Sequence, residues 1–434
     1  MNNHEPLSPP PTIRLSFMMF LQYAIWGAWL PILYPFLLGH RAFTLDDVGT
    51  IFAAGAVGAI LGPFIAGQVA DRYFATERYL GISHLAGAVL VWYLAIVDDF
   101  NMFLVLSLLY GLIYAPTLAL TNSLCFHHLT DRDRQFGPIR LWGTIGWIAA
   151  GIAVGQWLLL KHSGGETDAL VKAAQDAGRA DAFRLSAILG AILGIYCFTL
   201  PHTPPARHAR EANATFEAIR ELRRQPLVTL FLLAIPISII HQFYFVHTSE
   251  FLSIMQRQSA EALSAGAWIN KILGVGGGGL MTIGQMSEIL VLAAIPLFAK
   301  NISRKTLLGI GICAYAARMA LFAYTDSIWL ILLGVALHGL CFGCFIFVAF
   351  MVVDEETTPD VRASAQNLFN LVIIGIGIIV GSWFATSIVA DWAKSESGAV
   401  DYMRLFSVPM WIALGCLIVL IALYPGGRRS VEPV

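Results

Sequence analysis

The chain has 434 residues, of which 57% are hydrophobic and only 13% charged, with a mean hydropathy of +0.70 and a formal net charge of −1. A soluble domain carries roughly 25% charged residues because its surface faces water, so most of this chain's surface faces something apolar. The balanced charge excludes a broadly basic nucleic-acid binder. The six cysteines, all in or beside apolar stretches, outline no disulfide framework.

Residues 1–13 are polar and hold Pro9-Pro10-Pro11, so no removable leader is expected. Windows of about 19 residues then predict spans at 15–38, 49–70, 79–97, 101–125, 138–160 and 183–201. Six more follow at 228–252, 276–299, 306–325, 328–353, 363–390 and 402–425. The fold class is therefore an all-α polytopic membrane protein with twelve transmembrane helices.

Amides, hydroxyls and charges inside such spans are costly unless satisfied, so they mark the interior and the probable path of a ligand. Span one carries Gln22, Trp26 and Trp29 as one stripe, though tryptophans are also common interfacial anchors. Span two ends in Gly67-Gln-Val-Ala-Asp71-Arg72, and span four holds Thr121-Asn122. Span five aligns Arg140, Thr144 and Trp147 on one face, with Pro138 expected in its first turn. Arg140 is read as a ligand group or a counter-charge, the plainer alternative being an arginine snorkelling to lipid phosphate.

The loop 202–227 is rich in Arg and Pro and ends in an amphipathic stretch, 216–224, suited to a lipid surface. Span seven contains Pro236, His241, Gln242, Phe245 and His247. Span eight opens with Gly276 to Gly279, which lack the Lys-Ser/Thr of a phosphate loop and read as a packing or hinge feature. Within it, Glu288 is a mid-span carboxylate with Gln285 three residues before it on the same face. Such a group binds ligand hydroxyls, carries a proton, or pairs with a base. Span ten holds His338 and Cys341-Phe342-Gly343-Cys344, whose cysteines read as small packing residues rather than a redox or metal pair. Span eleven holds Gln366, Asn367 and Asn370, each as suited to helix–helix bonding as to a ligand. Drawn from both halves, this set of amides and rings suits a neutral, flat, polar ligand.

Lys and Arg crowd the loops that face inward when both termini are cytoplasmic, and that orientation agrees with an even span count. The long middle loop divides the chain into 1–201, a linker 202–227, and 228–434. The halves also echo each other: a charged loop with a proline precedes Arg140 in one and Arg362 in the other. Two six-helix bundles related in this way are the major facilitator architecture. Asp71-Arg72 resembles the G-x-x-x-D-R gating loop of that superfamily.

Several strings carry a closer resemblance: Phe20 to Leu30, Tyr114 to Asn122, Gly137-Pro-Ile-Arg140-Leu-Trp-Gly-Thr144-Ile-Gly146, Gln285-Met-Ser-Glu288, and Arg362-Ala-Ser-Ala-Gln366. They resemble the nucleoside:proton symporter family of the major facilitator superfamily. The resemblance implies nucleoside import driven by the proton gradient, with no other cofactor, by a monomer in the bacterial inner membrane. It implies that Gln242, Gln285 and Glu288 meet the ribose hydroxyls and base edge. Arg140, Thr144, Trp147 and Asn122 would line an opposite wall.

Two positions depart from the family. Phe245 stands where an asparagine is expected, and Phe342-Gly343 stands where family members can carry an aspartate. Glu288 is left as the central proton-coupling candidate, with His338 and His241 behind it. The alternatives are a sugar or oligosaccharide symporter and a membrane sensor that binds ligand without moving it. An enzyme is not expected, since no nucleophile–base or metal-ligand cluster is visible.

Overall fold

The computed structural model describes residues 11–65, 73–205, 223–262, 264–298, 301–358 and 361–426. Among them the structure is helical, apart from one isolated bridge between Lys394 and Val400. In lipid a helix satisfies its own backbone, which is why apolar composition and helical form go together here.

The first two helices are α1 (Thr12–His40), which passes through 3-10 and π turns after Trp29, and α2 (Leu45–Ile65). Then come α3 (Thr76–Leu94), α4 (Phe100–His128), α5 (Arg132–Lys161), a short amphipathic α6 (Asp168–Gly178) and α7 (Ala180–Cys197). The second half runs α8 (Leu227–Ala262), α9 (Ser264–Leu273), α10 (Gly278–Phe298), α11 (Arg304–Tyr324), α12 (Ile328–Glu356), α13 (Ser364–Ala390) and α14 (Tyr402–Leu423). Eleven helical stretches among the described residues are long and apolar enough to cross a membrane. The helix α3, with Glu77, Arg78 and His84, is the expected third span but falls outside that set.

Polar caps mark where chain leaves loop for helix. Asp99, Asp131, Ser303 and Asp401 each accept a hydrogen bond from a first-turn backbone N–H, satisfying donors the helix leaves orphaned. The Asp131 cap corrects one expectation: α5 starts at Arg132, so Pro138 lies inside the helix rather than in its first turn. The span window missed this start because residues 132–135 are polar. The amphipathic stretch 216–224 and the pair Asp71-Arg72 lie wholly or largely outside the described residues.

The chain divides into two compact units. The first comprises Met1–Phe43, Val57–Ala209 and Asn270–Gly279; the second comprises Thr44–Ala56, Arg210–Ile269 and Leu280–Val434. In the first, α1 packs closely along α5, where a Cβ at Gly27 would lie 2.8 Å from the Trp147 Cα. Small residues let membrane helices approach like this without a hydrophobic driving force. The segment before α10 docks on α5 of the same unit. Val275 N–H donates to the Gly155 carbonyl at 3.0 Å, and the Gln156 amide donates to the Lys271 and Ile272 carbonyls at 2.9 and 2.8 Å. Gly274, Gly276 and Gly277 take positive φ of 76°, 83° and 81°, which explains why the run is glycine. In the second unit, α14 packs on α11 and α8, around Phe251, Phe322 and Phe406.

Candidate functional site

In the second unit a charged cluster forms around α10. Glu288 and Gln285 share one face of that helix, and Glu288 remains 18% exposed. Its Oε2 lies 3.7 Å from His338 Nε2 on α12. On the other side of the imidazole, Nδ1 is 3.1 Å from Nη1 of Arg318 on α11. His338 also stacks on Tyr244 (4.7 Å between centroids) and on His241 (5.5 Å), both from α8. His241 Nδ1 is 2.7 Å from the Tyr315 hydroxyl.

Arg318 is fully buried, and its guanidinium lies 4.4 Å from the Tyr244 ring centre and 5.0 Å from that of Tyr315. Desolvated cation–π contacts of this kind are worth about 2 kcal/mol. They offset part of the cost of an arginine at membrane depth. Its Nε and Nη2 make no hydrogen bond.

The helices α10 and α12 come close enough for this pairing because Gly339 has no side chain. Its N–H donates to Ser287 Oγ at 3.0 Å, and an added Cβ would strike the Ser287 carbonyl and lie 2.8 Å from the Glu288 nitrogen. Directly afterwards α12 widens into a π turn, Cys341–Phe347, a feature common at functional sites. Gly343 sits in that turn, where a Cβ would come within 2.7 Å of Val291 Cγ1 and 3.2 Å of Ile295 Cδ1. A side chain at position 343 would therefore crowd α10.

The remaining expected groups of this unit divide. Gln285 is buried and its Oε1 has no hydrogen-bond partner, so an acceptor stands available. Phe245 meets His241 at 5.1 Å and His338 at 6.2 Å. Gln242, by contrast, donates from its amide to Ser382 Oγ on α13 at 2.9 Å. Phe342 is half-buried beside Gly343. Gln366 is held by Asp354 at 3.0 Å, outside the cluster.

In the first unit the polar groups around Trp26 are uncharged apart from Arg140. Gln22 is fully buried and donates to Thr117 Oγ1 at 2.8 Å, while its backbone carbonyl accepts the Tyr114 hydroxyl at 2.5 Å. Trp26 packs edge-on to Trp147 at 5.6 Å and tilted to Tyr114 at 6.0 Å. Arg140 lies over the Tyr23 ring at 4.0 Å. Thr144 is half-buried one turn further along α5, and the Asn122 Oδ1 is buried without a partner.

The sequence analysis singled out none of Arg318, Tyr244, Tyr315 and Tyr23. The available signal was the intramembrane charge itself, with Tyr315 three residues before it on the same helical face.

Fold and site together define a polytopic membrane transporter: long apolar helices enclosing ionisable and hydrogen-bonding side chains. The description "Nucleoside H+ symporter" matches residues 11–426. YegT of Escherichia coli (strain K12) is 32% identical over 378 residues, covering 85% of this chain and 82% of that protein. The xanthosine permease of the same organism is 29% identical over 402 residues, covering 88% and 90%. The crystal structure of the nucleoside transporter NupG superposes with a TM-score of 0.80 at 25% identity, covering 95% of this chain and 99% of that one. The chain thus belongs to the nucleoside H+ symporter family, has the major facilitator fold, and imports nucleosides with protons; it is not an enzyme.

Proposed function

We propose that Glu288 carries the coupling proton and that Gln285 beside it holds the nucleoside. The observation that supports this is the pairing of a partly exposed membrane carboxylate with His338, one turn from a buried amide oxygen that has no partner. Gln242, Phe245 and Phe342 flank the nucleoside from the C-terminal half. Gln22, Trp26, Asn122, Arg140, Thr144 and Trp147 serve it from the N-terminal half, rings for the base and amides for its edge. The protein works as a monomer of twelve spans, α3 among them, in two six-helix bundles, 1–201 and 228–434, joined by 202–227. Both termini lie on the cytoplasmic side of the bacterial inner membrane, and Asp71 with Arg72 gates the exchange between states. The proton gradient is the energy source and no cofactor takes part.

The test is Glu288→Gln in proteoliposomes. Accumulation under an imposed pH gradient is lost, while exchange of labelled for unlabelled nucleoside, which needs no net proton movement, continues. Undiminished accumulation removes the assigned role.

A further inference from the structure

We propose that Arg318 locks His338 in one neutral tautomer with its N–H facing Glu288, so that the coupling proton resides on Glu288 alone. This rests on the reading of Glu288 given above.

The argument starts from what each group is able to donate. A guanidinium has five N–H donors and no acceptor, and it stays protonated in proteins. Arg318 Nη1 lies 3.1 Å from His338 Nδ1, so that nitrogen accepts with its lone pair. A neutral imidazole then carries its hydrogen on Nε2, the nitrogen facing Glu288 Oε2 at 3.7 Å. Protonating His338 would set Nδ1–H against Nη1–H and place a second cation beside a fully buried arginine. In a low-dielectric interior both are strongly unfavourable. The ring has little freedom to turn away, because Tyr244 and His241 both stack on it.

Titratable and charged groups from three helices surround Glu288 and His338. From α8 come His241 and Tyr244, from α11 Tyr315 and Arg318, and from α12 Cys341. His241 is already bonded to the Tyr315 hydroxyl. Arg318 is the fixed positive charge of the set, and through His338 it favours the ionised carboxylate.

Two substitutions separate charge from titration. His338→Gln keeps an acceptor for Arg318 and a donor for Glu288 but binds no proton. It should retain gradient-driven nucleoside accumulation in proteoliposomes, at a rate lower by up to about tenfold for imperfect geometry. Arg318→Gln keeps a donor to Nδ1 and removes the charge. Uptake requires protonated Glu288 and so falls as pH rises; without the arginine its midpoint should move up by roughly one pH unit.

Loss of accumulation in His338→Gln with nucleoside exchange intact would overturn the proposal, because the histidine would then be a carrier. If His338→Gln is inactive in both assays, Arg318→Gln decides, and an unmoved midpoint is the overturning result. The wild-type protein gives a third reading: its uptake falls along a one-proton curve, and a two-proton fall counts against the proposal whatever the variants do. Glu288→Gln in parallel distinguishes failure here from failure of the underlying assignment, since retained accumulation there removes both.

Discussion

In the first unit the polar groups around Trp26 bind one another as neutral pairs, Gln22 with Thr117 and Tyr114 with the Gln22 carbonyl, and aromatic rings fill the space between, while its buried charges pair elsewhere, Arg179 with Asp176 and Glu77 with His202. The corresponding cluster of the second unit instead sets the buried Arg318, His338 and Glu288 in line. Both arrangements satisfy the rule that polar side chains in a membrane interior need partners. Of these two clusters, only the second contains a carboxylate whose charge changes with a proton. Under the function proposed above, the tasks divide accordingly: recognition draws on residues of both units, and proton coupling on the second.

The widest test of that division uses Arg140. It is half-buried and its guanidinium rests on Tyr23, leaving its donors available to an acceptor on the nucleoside. Arg140→Ala should weaken nucleoside binding by roughly 30-fold, the scale of a hydrogen bond to a charged group. The pH midpoint of uptake should stay where it is. A calorimetric titration gives the first quantity and a proteoliposome pH series the second. A shifted midpoint would break the division, for Arg140 would then take part in coupling.

Gln285→Ala sharpens it from the other side. Its unpartnered Oε1 gains a partner only when ligand arrives, so binding should weaken by roughly tenfold, as for one lost neutral hydrogen bond. An unchanged dissociation constant would leave the amide a packing residue. Gly274→Ala addresses the stability of the first unit rather than either task. A positive φ of 76° costs an alanine about 1–2 kcal/mol, and its Cβ would be driven against Gly155. A lower thermal midpoint with unchanged pH dependence is expected; an unchanged midpoint would mean the glycine-rich segment yields at no cost.

Much of this was legible in the sequence, and the remainder was hidden for a definable reason. Apolar windows locate helices because a span must be long and uncharged, and Glu288 stood out because nothing in lipid explains a carboxylate. Which side chain meets it depends on helix packing. The His338–Glu288 approach joins residues on two helices whose rotation the chain order does not fix, and the close contact of Gly339 with Ser287 sets it. Gln242 shows the reverse: an amide at the right place for a ligand whose nitrogen is engaged by Ser382, 140 residues away. Pro138 misplaced the start of α5 because a proline suits a first turn, yet the Asp131 cap overrode it.

The smallest expected effect concerns an ion pair at the loop end of α3, before the apolar run at 79–97. Glu77 is buried there. Burial alone would raise its pKa, but the His202 ring at 2.8 Å and the Thr203 N–H at 3.0 Å outweigh it and hold the carboxyl below its ordinary value. A carboxyl bound more favourably when ionised stabilises the folded state at pH above its unfolded pKa of about 4.3. That contribution is lost as pH falls through the lower folded value. Thermal midpoints of the wild type should therefore drop below about pH 4.3 more steeply than those of Glu77→Gln, which cannot titrate. The two curves should lie apart near neutral pH, with the wild type higher, and converge in acid. Parallel curves across the range would show that Glu77 contributes packing and no charge, and that the pair with His202 does not extend proton sensitivity beyond the second unit.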